Sequence, residues 1–193
     1  MKFTESFGQT PIDPGETEGL IPQHITLQRE LNEFEATNVA KAVRKYLTGK
    51  PKTDVSDPLI IKRIHRDMFD DTWAWAGKFR TTVKNLGVFP EKIHTELKRA
   101  CDDLKYWIEN ESFSPDETAV RFHHRLVWIH LFPNGNGRHA RLVADIFLHS
   151  KGIPLFSWGK SDVSWETTRK LYLEALKKAD TNDYDELLRL ARG

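Results

Sequence analysis

The sequence has too few cysteines for a disulfide and too little net charge for a broad basic surface. Cys101 is the single cysteine among 193 residues, which excludes an internal disulfide and a cysteine-rich zinc site. Lys and Arg number 29 against 28 for Asp and Glu, so no overall field draws the chain towards nucleic acid or an anionic membrane. No apolar run approaches the ~20 residues of a membrane-spanning helix, and the N-terminus does not resemble a signal peptide. We therefore expect a soluble, cytoplasmic protein with no direct nucleic-acid or membrane partner.

The length of the chain is enough for one well-filled core, and the sequence predicts two parts. Residues 1–25 form the first part, where three prolines and three glycines occur without any apolar period. Proline and glycine in this density favour an irregular arm over a helix. Residues 26–193 form the second part, which we predict to be one helical domain.

Apolar residues recur at helical spacing through most of this second part. Ser114, Pro115 and Glu117 combine a capping side chain with proline just inside a helix, a strong start signal. β-branched residues followed by Lys84, Asn85, Leu86 and Gly87 indicate instead a small β-hairpin. We therefore predict an all-α fold with one small hairpin and helices over residues 27–47, 58–68, 90–108, 115–129, 138–150, 164–179 and 184–192.

The loop at residues 133–137, between the fourth and fifth predicted helices, has the composition of a phosphate-binding turn. Gly135 and Gly137 allow positive φ and a close approach of the backbone to a ligand. The loop presents its N–H groups at the start of a new helix, where the helix dipole favours an anion. Arg138 and Arg141 follow on that helix and carry guanidinium groups suited to phosphate oxygens. Together these features predict a polyphosphate site.

His130 precedes this loop and could accept a proton beside a bound phosphate, because imidazole titrates near neutral pH. Taken alone, a histidine at a helix end is more often a cap or a surface residue, and Asn-Gly-Asn-Gly is usually just a turn. Phe132, between polar neighbours, is predicted to anchor the loop in the core. Only the combination of base, glycines and arginines favours phosphoryl-centred transfer.

The segment from His130 to Arg141 resembles the motif of the Fic (Fic/Doc) domain family, H-x-F-x-[DE]-G-N-G-R-x-x-R. Seven of its eight defined positions agree. The resemblance extends to residues 73–80, which are similar to the approach to the family's flap, and covers the chain from Leu27 onwards. Within the family the sequence looks most like the bacterial mobile mystery protein B group, whose genes lie beside a helix-turn-helix partner.

The resemblance implies a role for each matching residue. His130 corresponds to the general base, and Phe132 to the hydrophobic anchor. The implied nucleotide-binding residues are Gly135, Asn136, Gly137, Arg138 and Arg141. The implied target-docking flap, which would clamp a target segment by strand addition, comprises Arg80, Thr81, Thr82, Val83, Lys84, Asn85, Leu86 and Gly87.

Asn134 departs from the motif, since the family usually has an acidic, magnesium-binding residue there. A carboxamide oxygen is a weaker Mg²⁺ ligand than a carboxylate, and asparagine also suits a turn, so Asn134 is a weak metal candidate. Many family members also carry an inhibitory glutamate. Neither Glu18 nor Glu30 has the surroundings that this motif requires, so the sequence does not assign one.

The resemblance implies a protein adenylyltransferase that uses ATP and Mg²⁺ and transfers AMP to a Ser, Thr or Tyr hydroxyl of a target protein. It further implies a toxin-like module with an antitoxin-like, helix-turn-helix partner. One alternative is a phosphotransferase or another nucleotidyltransferase of the same fold, although the kinase-like Doc branch has lysine where this chain has Gly137. The other alternative is a catalytically weak binding module that has lost its metal with the change at Asn134.

Overall fold

The computed structural model describes residues 14–49, 53–159 and 164–193, and these residues are predominantly helical. The predicted all-α class is confirmed. The α-helices in the described residues are α1 (Pro14–Thr17), α2 (Gln28–Leu47), α3 (Pro58–Phe69), α4 (Ile93–Glu109), α5 (Pro115–Ile129), α6 (Asn136–Ser150), α7 (Trp165–Ala179) and α8 (Asp185–Arg192). A 3₁₀ turn, Pro90–Lys92, leads into α4.

Local capping explains where the helices begin. The Asp57 side chain accepts a hydrogen bond from the Leu59 N–H at 2.8 Å and starts α3, with proline in its first turn. The Ser114 side chain accepts from the Glu117 N–H at 3.2 Å and starts α5, as the sequence predicts. Helix α6 begins two residues earlier than predicted, because left-handed Gly135 already serves as its N-cap.

The described part of the N-terminal arm is attached to the core. Its single helical turn, α1, differs from the irregular structure that we expected. After this turn, Leu20 forms an isolated β-bridge with Trp73, and the Ala74 N–H donates to the Gly19 carbonyl at 2.8 Å. These backbone bonds give the arm partners in the core that periodicity does not reveal. Residues 1–13 of the predicted arm lie outside the described residues.

Residues 80–88, where the sequence predicts a hairpin, form a loop without strand pairing in the structure. The backbone N–H groups at the two ends of this loop donate to the end of α5 and not to each other. The Arg80 N–H donates to the Leu131 carbonyl at 3.0 Å, and the Val88 N–H donates to the Ile129 carbonyl at 3.3 Å. Because α5 offers unpaired carbonyls at its C-terminus, these tertiary bonds replace the local pairing that β-branched residues favour.

The packing of the helices places the candidate site between four elements. Helix α5 packs against α4, α6 and α8, while α2 packs against α3 and α6, and α7 against α8. The end of α5 and the start of α6 therefore meet in the interior, with α2 and α7 on either side. Among the described residues, no helix combines the length and the apolar character needed to cross a membrane.

Candidate active site

A cavity of about 1390 Å³ opens between α2, the loop that joins α5 to α6, and α7. The structure brings most of the predicted site residues together in its lining. His130, residues 134–138 and Arg141 all contribute to the wall, as do the flap residues 85–87. The remaining flap residues, 80–84, are not part of that wall. A cavity of this size exceeds the few hundred Å³ that suffice for a small-molecule ligand.

His130 is the C-cap of α5 and adopts a left-handed backbone with φ of 57°. This reversal of the chain turns the residue into the cavity while its side chain stays buried. Burial lowers the pKa of His130 to about 4, and the nearby cations of Arg80 and Lys84 contribute to the lowering. The imidazole is therefore neutral at pH 7 and able to accept a proton.

Gly87 brings the flap directly onto His130. Its φ is 95°, a value that side-chain-bearing residues rarely adopt, and a Cβ added here would lie 2.5 Å from the His130 Cβ. Glycine is thus required both for the turn and for the close approach. A segment docked along residues 85–87 would pass beside the imidazole.

Arg80 anchors the flap and does not offer a surface for docking. Its side chain is buried, and its Nε donates to the His130 carbonyl at 2.6 Å. Its Nη1 donates to the Thr82 carbonyl at 2.9 Å, and its Nη2 donates to the Val88 carbonyl. The guanidinium therefore joins both ends of the flap to the end of α5, a role that differs from the docking role implied by the resemblance.

The loop before α6 is braced by Asn136. Its side-chain oxygen accepts from the Phe132 N–H at 2.9 Å, and its Nδ2 donates to the Phe132 carbonyl at 2.8 Å. The Phe132 ring is fully buried, as the sequence predicts for an anchor. Asn136 thus holds the loop in shape with its side chain, and the first backbone N–H groups of α6, which lack partners within the helix, are suited to binding an anion.

The two glycines of this loop meet different demands. Gly135 has φ of 78°, and a Cβ on it would lie 2.6 Å from the Phe69 ring, so no side chain fits. Gly137 is helical, and the atom nearest to an added Cβ is the Tyr172 hydroxyl at 3.9 Å. The protein itself would therefore tolerate a side chain at 137, and the absence of one leaves space for a ligand.

Asn134 is engaged in the turn. Its side-chain oxygen accepts from the Gly135 N–H at 2.6 Å and lies 3.5 Å from Nη2 of Arg138. A neighbouring guanidinium repels a metal cation, so this geometry favours the turn-forming interpretation of Asn134. Nor do three or more His, Cys, Asp or Glu side chains come together as a metal site anywhere in the described ranges. These residues do not fit a resident Mg²⁺ ion.

Arg138 is held by a carboxylate that the sequence analysis did not single out. Its Nη1 lies 2.6 Å from Oε2 of Glu35, which is buried on α2, and its guanidinium lies over the Phe69 ring at 4.8 Å. The Glu35 Oε1 accepts from Nε1 of Trp73 at 2.7 Å. Glu35 occupies a buried position on the apolar face of α2, and this placement was the available sequence signal.

Arg141 faces a second group of residues, on α7. Its guanidinium lies over the Tyr172 ring at 5.5 Å, and its Nε donates to the Gly137 carbonyl at 3.3 Å. Arg169 lines the same cavity, and burial together with the Arg141 charge lowers its pKa. Three arginines, Arg138, Arg141 and Arg169, therefore share one cavity wall, which is a favourable environment for a polyphosphate.

Glu30, to which the sequence assigned no inhibitory role, does not line this cavity. The Glu30 carboxylate accepts from the backbone N–H groups of Thr26 and Leu27, each at 3.2 Å. These bonds and the nearby Arg29 and His24 charges lower its pKa. Glu30 is a helix cap, whereas Glu35, five residues later, lines the cavity and pairs with Arg138.

Comparison with known proteins identifies the region that contains this site. The model of the Fic/DOC family matches residues 56–148. The chain is 31% identical over 134 residues to the protein adenylyltransferase fic-1 of Caenorhabditis elegans, covering 65% of this chain and 26% of that protein. It is 29% identical over 144 residues to the protein adenylyltransferase Fic of Nematostella vectensis, covering 72% of this chain and 33% of that protein. The chain thus spans a third or less of these relatives.

Solved structures share the fold. Fic-1 of Caenorhabditis elegans, residues 134–508, superposes with a TM-score of 0.62 at 26% identity and covers 92% of this chain and 51% of the other. The BepC effector of Bartonella tribocorum, solved with bound AMPPNP, superposes with a TM-score of 0.68 at 19% identity and covers 93% and 97% of the two chains.

Proposed function

We propose that this chain, whose residues 56–148 match the model of the Fic/DOC family, is a protein adenylyltransferase. It transfers AMP from ATP to a Ser, Thr or Tyr hydroxyl of a target protein. The observation that carries the proposal is that one cavity is lined both by His130, which is neutral at pH 7, and by the glycine-rich start of α6. The relatives named protein adenylyltransferases support the same reaction.

In the proposed reaction, His130 accepts the proton of the target hydroxyl while the hydroxyl oxygen attacks the α-phosphorus of ATP. A bond forms between that oxygen and phosphorus, the bond from phosphorus to the bridging oxygen breaks, and pyrophosphate leaves. The N–H groups at the start of α6, with Arg138 and Arg141, hold the phosphates and stabilise the developing charge. The negative charge of bound phosphates raises the pKa of His130 from its low value and strengthens the base.

Two further parts of the proposal concern ATP's counter-ion and the target. Mg²⁺ is proposed to arrive with the phosphates of ATP, because the chain offers no carboxylate at position 134.

The target segment is proposed to lie along the exposed flap residues Asn85, Leu86 and Gly87, which line the cavity next to His130. Its main chain would bond to the flap by strand addition.

The sequence resemblance to the mobile mystery protein B group supports a last part of the proposal. By this resemblance the chain is a toxin-like, cytoplasmic module whose activity a separate helix-turn-helix protein restrains. Co-purification of the two chains, encoded together, would test this partnership.

The proposed reaction is tested by incubation with α-labelled or γ-labelled ATP and measurement of labelled protein. We expect α-label, and we expect His130→Ala to reduce the labelling rate by ~10²–10⁴-fold with ATP affinity nearly unchanged, because the base acts on the incoming hydroxyl. His149→Ala is the matched control, since His149 lies at the far end of α6 and bonds the Gly49 carbonyl.

Three results would contradict the proposal in different ways. Unchanged labelling by His130→Ala would exclude the assigned base. Transfer of γ-label would identify a phosphotransferase. No labelled protein from either form of ATP would support the binding-module alternative.

A further inference from the structure

His65 is a buried polar residue of α3 that lies directly beneath the loop before α6. Its side chain has no solvent exposure. Its Nε2 lies 3.0 Å from the Asn134 carbonyl oxygen, and its Nδ1 lies 3.0 Å from the Gly77 backbone nitrogen. The ring thus bridges the loop of the candidate site and the turn that leads into the flap.

The partners of the two ring nitrogens determine the tautomer of His65. A backbone N–H can only donate, so the Gly77 bond requires Nδ1 to be an acceptor. A carbonyl oxygen can only accept, so the Asn134 bond requires Nε2 to carry the proton. A neutral ring with its proton on Nε2 satisfies both bonds, whereas a charged ring would break the bond with Gly77.

The surroundings of the ring favour this neutral state. Burial is the main cause that lowers the pKa of His65 well below its usual value, and His139 and Arg138 are the titratable or charged groups that add to the lowering. The His139 ring lies 5.5 Å away. The hydrogen bond to the Asn134 carbonyl acts in the opposite direction, but burial outweighs it, so the neutral form persists through the physiological range.

The ring also supports the loop by packing. It stacks on the Phe132 ring with a centroid separation of 3.7 Å and an interplanar angle of 17°, and its centroid lies 4.8 Å from that of the Phe69 ring. A Cβ on Gly135 would lie 3.4 Å from Nε2 of His65. Because the ring is in contact on several sides, it has little freedom to move away from the Asn134 carbonyl.

We propose that His65 is a positioning residue that orients the phosphate-binding loop through its Nε2–H bond to the Asn134 carbonyl. A trans peptide is planar, so the bond that directs this carbonyl towards α3 also turns the Gly135 N–H away from α3. That N–H then bonds the Asn134 side chain, and the next residues, 136–138 at the start of α6, line the cavity. The inference rests on the proposed function, because it assigns the loop to the phosphates of ATP.

Two amide variants separate the contributions of the two ring nitrogens. In His65→Gln the side-chain amide nitrogen lies as many bonds from Cα as Nε2 does, so it keeps the donor to Asn134. In His65→Asn the amide oxygen replaces Nδ1, so this variant keeps the acceptor for Gly77 and loses the bond to Asn134. Both variants remove the stacking on Phe132, which makes each the control for the other.

The measurements are amide hydrogen exchange over residues 132–139 in the ligand-free protein and calorimetric titration with ATP and Mg²⁺. We expect His65→Asn to accelerate exchange in the loop and weaken ATP binding, each by about tenfold, because one buried hydrogen bond is lost. We expect His65→Gln to stay within about threefold of the wild type in both. Equal effects of the two variants, or a larger effect of His65→Gln, would overturn the proposal.

The wild-type protein provides an independent measurement if the variants fold poorly. Nitrogen NMR of the His65 ring is expected to show a neutral ring protonated on Nε2 throughout pH 5.5–8. A proton on Nδ1, or a ring that becomes charged near pH 6.5, would overturn the assignment. If the wild type does not bind ATP, the proposed function fails, while exchange and NMR still decide whether His65 orients the loop.

Discussion

Glu35→Gln is expected to strengthen ATP binding, because the Glu35 carboxylate pairs with an arginine that we propose to bind the phosphates of ATP. In the ligand-free protein, Oε2 of Glu35 lies 2.6 Å from Nη1 of Arg138. A phosphate that binds the Arg138 guanidinium must displace this carboxylate or share the guanidinium with it. Glutamine keeps the size of the side chain and an acceptor for the Trp73 Nε1–H, while it removes the competing charge.

The size of the effect follows from the burial of this pair. The Glu35 side chain is 9% exposed and that of Arg138 36%, so solvent screens the pair only in part. A charge-assisted hydrogen bond of this kind contributes about 1.5–3 kcal/mol, which corresponds to a roughly ten- to hundredfold gain in ATP affinity when the competitor is removed. The same change lowers the free energy of unfolding by a comparable amount, because the ligand-free protein loses this ion pair.

Calorimetric titration with ATP measures this gain, and thermal unfolding measures the cost in stability. Glu33→Gln is the matched control: Glu33 lies on the same helix, is exposed, and has an ion-pair separation of 3.9 Å from Arg29. Both variants change the net charge equally, so a general electrostatic effect would appear in each. Unchanged ATP affinity in Glu35→Gln, or the same gain in Glu33→Gln, would refute the reasoning.

Two further predictions concern acid stability and position 134. Burial lowers the pKa of both His130 and His139 to about 4, so between pH 6.5 and 4 the unfolded chain binds more protons than the folded one. Stability is therefore complete above pH 6.5 and is lost as the pH falls towards 4, by roughly 3 kcal/mol per histidine; urea midpoints that do not change between pH 7 and 5 would contradict this. Asn134→Asp is expected to lower the Mg²⁺ concentration for half-maximal labelling, because it adds a charged oxygen ligand; coincident Mg²⁺ titration curves would exclude a metal role for position 134.

The positions of most helices could be predicted from the sequence because their signals are local. Asp57 and Ser114 mark the starts of α3 and α5, and the structure has both caps in place. Apolar periodicity likewise predicted the bounds of α2 and α7 to within a residue. Such signals act between residues a few positions apart, so they do not depend on the rest of the fold.

The hairpin prediction was wrong because the structure of this segment depends on distant residues and not on local signals. Thr81, Thr82 and Val83 favour an extended strand, but the partners of this segment lie at the end of α5, about fifty residues further along the chain. Arg80 fills the space between them and bonds both ends of the loop. Local propensity cannot reveal a buried guanidinium that several distant carbonyls share.

The sequence by itself determined the helical class, the glycine-rich helix start and the position of the proposed base, His130. Only the tertiary structure decided which side chains from other helices contact the loop and the arginines of this site. Glu35 meets Arg138 across 103 positions of the chain, and His65 meets Asn134 across 69. Periodicity can place Glu35 on the buried face of α2, but it cannot name the partner in either pair, because both contacts arise when α2 and α3 pack against α6 and bury polar groups that must then find partners.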